Sequence, residues 1–241
     1  MLTFIHIGKT GGSTIQTLLN LKQYHLQKNY NYRNKFIIWV RNPIARFVSA
    51  FNMSYVNINF KKYVKNTKRL GYKSVLLKGR IDRYLFNKNN YIYSPRYDTL
   101  INYFQTANNL AEALSSENKK IRRKAYELMN YPTSGHIYRG IGWYLNNGRF
   151  VRKHNNNIIF VGKQETMEED IEGLSVVLNK ELKNEETRIN NYSTKESKYL
   201  SPLAIKNIIK YYKYTDYAAL IELNKHGWIS DSVLELYYKY P

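Results

Sequence analysis

The first residues able to do chemistry lie in a glycine-rich segment at positions 8–14, GKTGGST, directly after the apolar run from Leu2 to Ile7. Apolar residues at 15, 18 and 19 follow at helical spacing, and Ser13 or Thr14 is expected to cap that helix. In a strand–loop–helix turn of this kind the backbone N–H groups converge, the helix dipole is positive and the lysine adds charge. The segment therefore predicts a site for a phosphate-like anion.

A second group of residues follows the apolar block from Phe36 to Val40, whose composition indicates a strand buried on both faces. Arg41 stands at the tip of that strand, and Pro43 suits the first turn of the next helix. A guanidinium at this position repels a metal ion and attracts a phosphate. The pattern therefore favours an anion site that works without Mg²⁺.

The loop departs from the Walker A pattern of nucleoside triphosphatases, Gly-x-x-x-x-Gly-Lys-Ser/Thr. Gly8, Lys9 and Thr10 match the end of that pattern, but its first glycine would fall at residue 3, which is a threonine. Such enzymes also need an Asp at a strand tip to hold Mg²⁺, where this chain has Arg41. A nucleotide kinase or NTPase on a degenerate P-loop stays open as an alternative.

Residues 4–14 resemble the 5′-phosphosulfate loop of the carbohydrate sulfotransferases that use PAPS (3′-phosphoadenosine 5′-phosphosulfate), a strand followed by Pro-Lys-Thr-Gly-Gly-Thr/Ser. Residues 40–51 resemble the 3′-phosphate motif of the same family, Arg-(Asp/Asn)-Pro…Arg…Ser. Weaker similarities follow at 160–170 and 199–217, whereas residues 56–135 show none. The heparan sulfate 2-O- and 6-O-sulfotransferase branch is the most similar, although Gly8 stands where the family usually has proline.

The resemblance implies a role for each matching residue. Lys9 would contact the phosphosulfate and neutralise charge on the bridging oxygen as the nucleotide leaves, and Arg41 with Ser49 would grip the 3′-phosphate. Arg46 is either a phosphate contact or, as we favour, a helix-surface residue, and Lys195 falls where some relatives close a loop over the nucleotide. The residues expected to bind PAPS are Lys9, Thr10, Gly11, Gly12, Ser13, Thr14, Arg41 and Ser49.

The acceptor hydroxyl needs a general base, and histidine is the natural type near neutral pH. His25 lies between the two motifs, where the resembling family places its catalytic histidine, so we expect His25 to be the base. His6 sits inside the first strand and is expected to be a packed core residue, and His136 an acceptor-site residue. His154 and His226 are expected at the surface, and a carboxylate base is a further alternative.

The pattern of apolar runs predicts an α/β fold: a P-loop-like nucleotide fold with a central, mainly parallel sheet flanked by helices and a helical insertion. No repeat or linker divides the chain, so residues 1–241 are expected to form one sulfotransferase-like domain, with 56–135 an insertion of helices and loops that shapes the acceptor cleft. Further expected elements are a short strand at 23–27, helices near 106–114 and 121–129, a strand at 158–162, a helix after Thr166 and a last helix over 202–224.

The 241-residue chain has 38 Lys and Arg against 18 Asp and Glu, a net charge of +20. That field attracts anions, but a coding bias towards Lys, Asn, Tyr and Ile explains the excess equally well, so a non-enzymatic polyanion-binding protein is the second alternative. The absence of cysteine excludes a disulfide framework and sulfur-based metal sites. With no long apolar run and no secretory signal, we expect a cytoplasmic protein without a membrane span.

The resemblance implies PAPS-dependent transfer of a sulfuryl group to a hydroxyl, on a glycan acceptor that is itself anionic or neutral. Sulfuryl transfer, like phosphoryl transfer, depends mainly on positioning and on stabilising charge. Because sulfate carries less charge than a terminal phosphate, no metal ion is expected to be required. No nucleic-acid-binding motif is present in the sequence, and a nucleic-acid partner is therefore not expected.

Overall fold

The computed structural model describes residues 1–20, 33–69, 95–132, 136–182 and 195–240. Three strands form one sheet in the order β1-β2-β3, and both neighbouring pairs are parallel. The strands are β1 (Leu2–Ile5), β2 (Lys35–Val40) and β3 (Ile158–Lys163). The expected parallel α/β sheet is confirmed, and β2 and β3 lie where the two apolar blocks predict strands.

Helices flank the sheet and make up most of the described structure. They are α1 (Gly12–Leu19), α2 (Pro43–Arg69), α3 (Pro95–Phe104), α4 (Ala107–Ala113), α5 (Lys119–Met129), α6 (Ile141–Leu145), α7 (Arg149–His154), α8 (Met167–Leu178), α9 (Lys195–Lys198), α10 (Pro202–Tyr212), α11 (Asp216–Lys225) and α12 (Asp231–Leu236). Short 3₁₀ turns at Asn146–Gly148 and Asn155–Asn157 flank α7.

The two faces of β2 belong to two different buried clusters. Phe36, Ile38 and Val40 pack on the side of α2, in a cluster that also contains residues of α3, α4, α5, α10 and α11. Ile37 and Trp39 face the other way, in a smaller cluster with residues of β1, α1 and α8. The alternation follows from the two-residue period of a strand. It explains why this strand is apolar at every position after Lys35.

One expected boundary lies inside a helix, and another is wrong. The helix that starts at Pro43 runs without a break to Arg69, so residue 56, where the insertion is expected to begin, lies within α2. The helix expected over 202–224 is two helices, because Thr215 has φ −123° and ψ −87°, outside helical geometry, and Asp216 starts α11. The helices expected near 106–114 and 121–129 are present as α4 and α5. Their buried residues belong to the same cluster as Phe36, Ile38 and Val40 of β2.

Two further expectations concern the short strand between the motifs and a membrane span. The short strand expected at 23–27 lies outside the described residues. Within the described ranges, no helix combines the length and the apolar character needed to cross a membrane.

Because the sheet is parallel, the carboxyl ends of β1, β2 and β3 meet along one edge. The segments that follow the three strands therefore lie side by side.

Candidate anion-binding site

The loop between β1 and α1 contains two residues with left-handed backbone conformation. Lys9 and Gly11 both adopt positive φ, +72° and +80°, and the buried hydroxyl of Thr10 donates to the carbonyl of Ile7 over 2.9 Å. Glycine suits the left-handed conformation at Gly11 because it carries no Cβ. The hydrogen bond from the Thr10 hydroxyl to the Ile7 carbonyl stabilises the loop.

The expectation that Ser13 or Thr14 caps α1 is wrong. The N-cap is Gly11, the helix begins at Gly12, and no side chain accepts a hydrogen bond at this end. The Thr14 N–H bonds the Gly11 carbonyl over 3.0 Å. The first backbone N–H groups of α1, including those of Gly12 and Ser13, thus gain no side-chain acceptor from a cap, and the positive end of the helix dipole meets the loop. This geometry suits a bound anion.

The ammonium group of Lys9 belongs to a half-buried side chain and lies near two other cations. Its Nζ donates to the thioether sulfur of Met53 on α2 over 3.1 Å, and a thioether is a weak acceptor. Burial, together with the nearby charges of Arg41 and Arg46, lowers the pKa of Lys9 to about 8. An anion placed beside Lys9 would be attracted by this charge and would stabilise the protonated form of the lysine.

Arg41 joins the two sequence motifs directly. Its Nη1 donates to the backbone carbonyl of Lys9 over 3.2 Å, so the residue after β2 holds the loop that follows β1. This bond uses one of the five N–H donors of the guanidinium. Burial lowers the pKa of Arg41, while the nearby Glu165 and Tyr240 act in the opposite direction.

The segment after β2 is braced from two other parts of the chain. Asn42 caps α2, because its Oδ1 accepts from the N–H groups of Ile44 and Ala45 over 2.9 and 3.2 Å. The backbone N–H of Asn42 donates to Glu165 Oε1 over 2.9 Å, and the Tyr237 hydroxyl donates to Glu165 Oε2 over 2.9 Å. Glu165, which follows β3, therefore links the Arg41–Asn42 turn to the C-terminal segment.

Glycines let three side chains approach the loop. A Cβ at Gly8 would lie 2.1 Å from His136 Nδ1, and a Cβ at Gly12 would lie 2.1 Å from His6 Cδ2. A Cβ at Gly11 would lie 1.9 Å from the Oε1 atom of Gln164. A side chain at any of these positions would displace its neighbour. His136 and Gln164, from distant parts of the sequence, thus belong to the wall of the loop.

The remaining expected site residues have the following positions. Ser49 is half-buried on α2, one helical turn before Met53, so both lie on the helix face that Lys9 approaches. His25 lies outside the described residues. Lys195 starts α9, which contacts α2 where the Asn52 amide donates to the Ser197 carbonyl over 2.9 Å. The structure thus brings together the loop, Arg41 and the α2 face that bears Ser49.

Two expectations about single residues are wrong. Arg46 is fully buried instead of lying on the helix surface, with Nη1 donating to the His136 carbonyl over 2.7 Å and Nε 3.4 Å from Asp216 Oδ2. Its hydrogen bonds and its ion pair are all within the core. His154 is also buried, against the rings of Phe36 and Phe150. His6 is buried and His226 is exposed, as expected.

Comparison of the chain with protein-family models, with curated proteins and with solved structures finds no match in any of the three.

Proposed function

We propose that this chain is a sulfotransferase that moves the sulfuryl group of PAPS to a hydroxyl of a carbohydrate acceptor in the cytoplasm, on a P-loop-like nucleotide fold. The observation that carries the proposal is the hydrogen bond from Arg41 to the Lys9 carbonyl. It places the two motifs that resemble the 5′-phosphosulfate loop and the 3′-phosphate motif in direct contact. A ligand with anionic groups at both ends of a nucleoside would meet both of them.

The residues present fit the 5′ end of this ligand. Gly11 at the N-cap leaves the first N–H groups of α1 without a side-chain acceptor, and Lys9 sits half-buried beside them. The dipole of α1 and the charge of Lys9 add at the same point. The backbone N–H groups of Gly12 and Ser13 and the hydroxyls of Ser13 and Thr14 would take part. The Thr10 hydroxyl already donates to the Ile7 carbonyl, and the Thr14 N–H donates to the Gly11 carbonyl.

At the 3′ end, Arg41 would supply a planar pair of N–H donors to a phosphate. Ser49 lies on the α2 face one turn before Met53, which the Lys9 side chain contacts. Glu165 bonds the backbone N–H of Asn42, and this contact holds the turn that carries Arg41. Recognition of the 3′-phosphate is the feature that would separate this ligand from ATP and ADP.

The chain's residues would then act in the transfer as follows. The bond from sulfur to the bridging oxygen breaks and a bond from sulfur to the acceptor oxygen forms, so negative charge grows on the departing phosphate. Lys9 would neutralise that charge. The proton of the acceptor hydroxyl would pass to a histidine, for which His25 is our first candidate. His136, which contacts Gly8, is the second.

Calorimetry tests the proposal with adenosine 3′,5′-bisphosphate, ADP and ATP, each with and without Mg²⁺. We expect the bisphosphate to bind without metal and ADP to bind at least about tenfold more weakly, a difference of about 1.4 kcal/mol. Preference for ATP with Mg²⁺ would support a kinase or NTPase instead. If no nucleotide binds, and the affinity for polyanions falls steeply with salt, the non-enzymatic alternative is correct.

A further inference from the structure

An acidic residue, Glu165, lies beside the arginine of the candidate anion site. It follows β3 and is exposed. Burial lowers the pKa of Arg41, and the nearby negative charge of Glu165 acts in the opposite direction. A carboxylate and a guanidinium commonly share two parallel hydrogen bonds. A pair of this kind would occupy the N–H donors of Arg41 that a phosphate needs.

The Glu165 carboxylate is instead held by two uncharged donors. Its Oε1 accepts from the Asn42 N–H over 2.9 Å, and its Oε2 accepts from the Tyr237 hydroxyl over 2.9 Å. No ion pair between Glu165 and Arg41 is present among the described residues. Within the same ranges, Arg41 has one hydrogen bond, to the Lys9 carbonyl. Most of the five N–H donors of the guanidinium therefore remain open to an anion.

Tyr237 is held in place by contacts that do not involve Glu165. The residue follows α12 and is only 3 % exposed. The side-chain amide of Asn42 donates to the carbonyls of Leu236 and Lys239, over 3.3 and 2.7 Å, and these carbonyls flank Tyr237 in the chain. Glu165 is an exposed side chain by comparison. The buried hydroxyl therefore determines where the exposed carboxylate lies.

The Tyr237 hydroxyl is also a lasting donor. Burial and the charge of Glu165 raise the pKa of Tyr237 well above its usual range, so the hydroxyl stays protonated at neutral and mildly alkaline pH. The Tyr217 hydroxyl donates to the Tyr237 carbonyl over 2.8 Å, and the Tyr217 ring stacks on that of Tyr238 with 4.4 Å between the ring centres. These contacts fix the backbone that carries the donor.

We propose that Tyr237 is a positioning residue of the anion site, which holds the Glu165 carboxylate away from Arg41 and so keeps the guanidinium open to an anion. Without the hydroxyl, Glu165 would turn about its remaining bond to Asn42 and pair with Arg41. An anion would then have to displace the carboxylate before it could bind. This inference rests on the phosphate contact proposed for Arg41, but the restraint on Glu165 is measurable without a ligand.

Calorimetry with adenosine 3′,5′-bisphosphate tests the effect on binding. Tyr237→Phe should weaken the bisphosphate roughly threefold to fivefold, the scale of one partly exposed ion pair. Glu165→Gln should strengthen it, because a negative charge near the anion is lost. Added to Tyr237→Phe, Glu165→Gln should restore the lost affinity, a rescue that general damage to the fold would not show. Tyr238→Phe makes the same change at an exposed neighbour and should have no effect.

Urea unfolding tests the restraint without a ligand. The stability effects of Arg41→Ala and Glu165→Gln should be nearly additive in the unaltered chain, and should interact once Tyr237→Phe lets the two side chains pair. Additivity in both backgrounds, weaker binding in Glu165→Gln, or a failed rescue would overturn the inference. A chain that shows the new interaction but binds no bisphosphate keeps the role of Tyr237 and refutes the nucleotide proposal. A chain that binds the bisphosphate equally well with Tyr237→Phe does the reverse.

Discussion

The guanidinium of Arg41 donates a 3.2 Å hydrogen bond to the backbone carbonyl of Lys9. The two residues are 32 positions apart and follow neighbouring parallel strands. The contact places the half-buried Arg41 beside the positive-φ residue of the loop. It makes the loop after β1 and the turn after β2 parts of one site.

If Arg41 binds the 3′-phosphate as proposed, Arg41→Ala should weaken adenosine 3′,5′-bisphosphate at least about tenfold more than it weakens ADP, which lacks that phosphate. Calorimetry with both ligands measures the difference. Arg149→Ala, at an exposed position on α7, is the control for loss of general positive charge. Equal weakening of the two ligands would mean that Arg41 does not read the 3′-phosphate.

The affinity for the bisphosphate should fall at alkaline pH, because the pKa of Lys9 is lowered to about 8 and a neutral lysine loses its attraction for an anion. If only the protonated lysine binds, the dissociation constant rises about tenfold between pH 7 and pH 9. Lys9→Arg should remove this dependence, since arginine stays charged. An unchanged pH profile in that variant would assign the effect to another group.

The same shift affects stability with a definite sign. The folded-state pKa of Lys9, about 8, lies below the unfolded value of 10.5, so between these values the unfolded chain binds more protons. The Lys9 contribution to the free energy of unfolding therefore rises with pH across that window. Lys9→Met should lose this rise, which urea unfolding at pH 8 and pH 10 measures against the unaltered chain.

Arg46→Ala should lower the free energy of unfolding by roughly 3–5 kcal/mol, because it leaves the buried carboxylate of Asp216 uncompensated. Arg152→Ala breaks the ion pair between the exposed Arg152 and the half-buried Glu222. It should change the free energy of unfolding by roughly 0–1 kcal/mol. Urea unfolding compares the two variants. If Arg46→Ala instead keeps full stability and loses bisphosphate affinity, Arg46 is a phosphate contact after all.

Gly11→Ala should destabilise the protein more than Gly227→Ala. Both glycines have positive φ, +80° and +76°, so each alanine carries a strain of roughly 1–2 kcal/mol. A Cβ at Gly11 would also meet Gln164, whereas nothing lies within 4 Å of a Cβ at Gly227. Thermal unfolding measures both. Gln164→Ala should recover part of the loss in Gly11→Ala, and no recovery would contradict the contact.

His25→Ala should reduce turnover by roughly 100- to 10,000-fold and leave bisphosphate affinity nearly unchanged, since a general base acts only in the transition state. The assay follows release of adenosine 3′,5′-bisphosphate from PAPS in the presence of an oligosaccharide acceptor. His136→Ala is the comparison variant because the His136 ring contacts Gly8. If only His136→Ala loses turnover, the base is His136.

The sequence alone was enough to predict the parts of this protein that depend on local order. The apolar blocks at 36–40 and 158–162 predict buried strands because a strand covered on both faces has no polar side. The three glycines with Lys9 predict a tight turn between β1 and α1, and the structure has a turn there with positive φ at Lys9 and Gly11; the anion expected in it stays a prediction. The acids after Thr166 predict the start of α8, because negative charge in the first turn of a helix interacts favourably with the helix dipole.

Only the tertiary structure decided which distant residues meet. Arg46 looks like a surface residue in sequence, and it is buried because Asp216 and the His136 carbonyl, from other elements, supply its partners. The contact of His136 with Gly8 and the link from Glu165 to Asn42 likewise join residues that are far apart in the chain. The cleft of about 770 Å³ lined by Tyr126, Trp143 and Tyr211 has no sequence signal, since α5, α6 and α10 form it only after they pack. Such contacts depend on packing between elements, which hydrophobic periodicity does not encode.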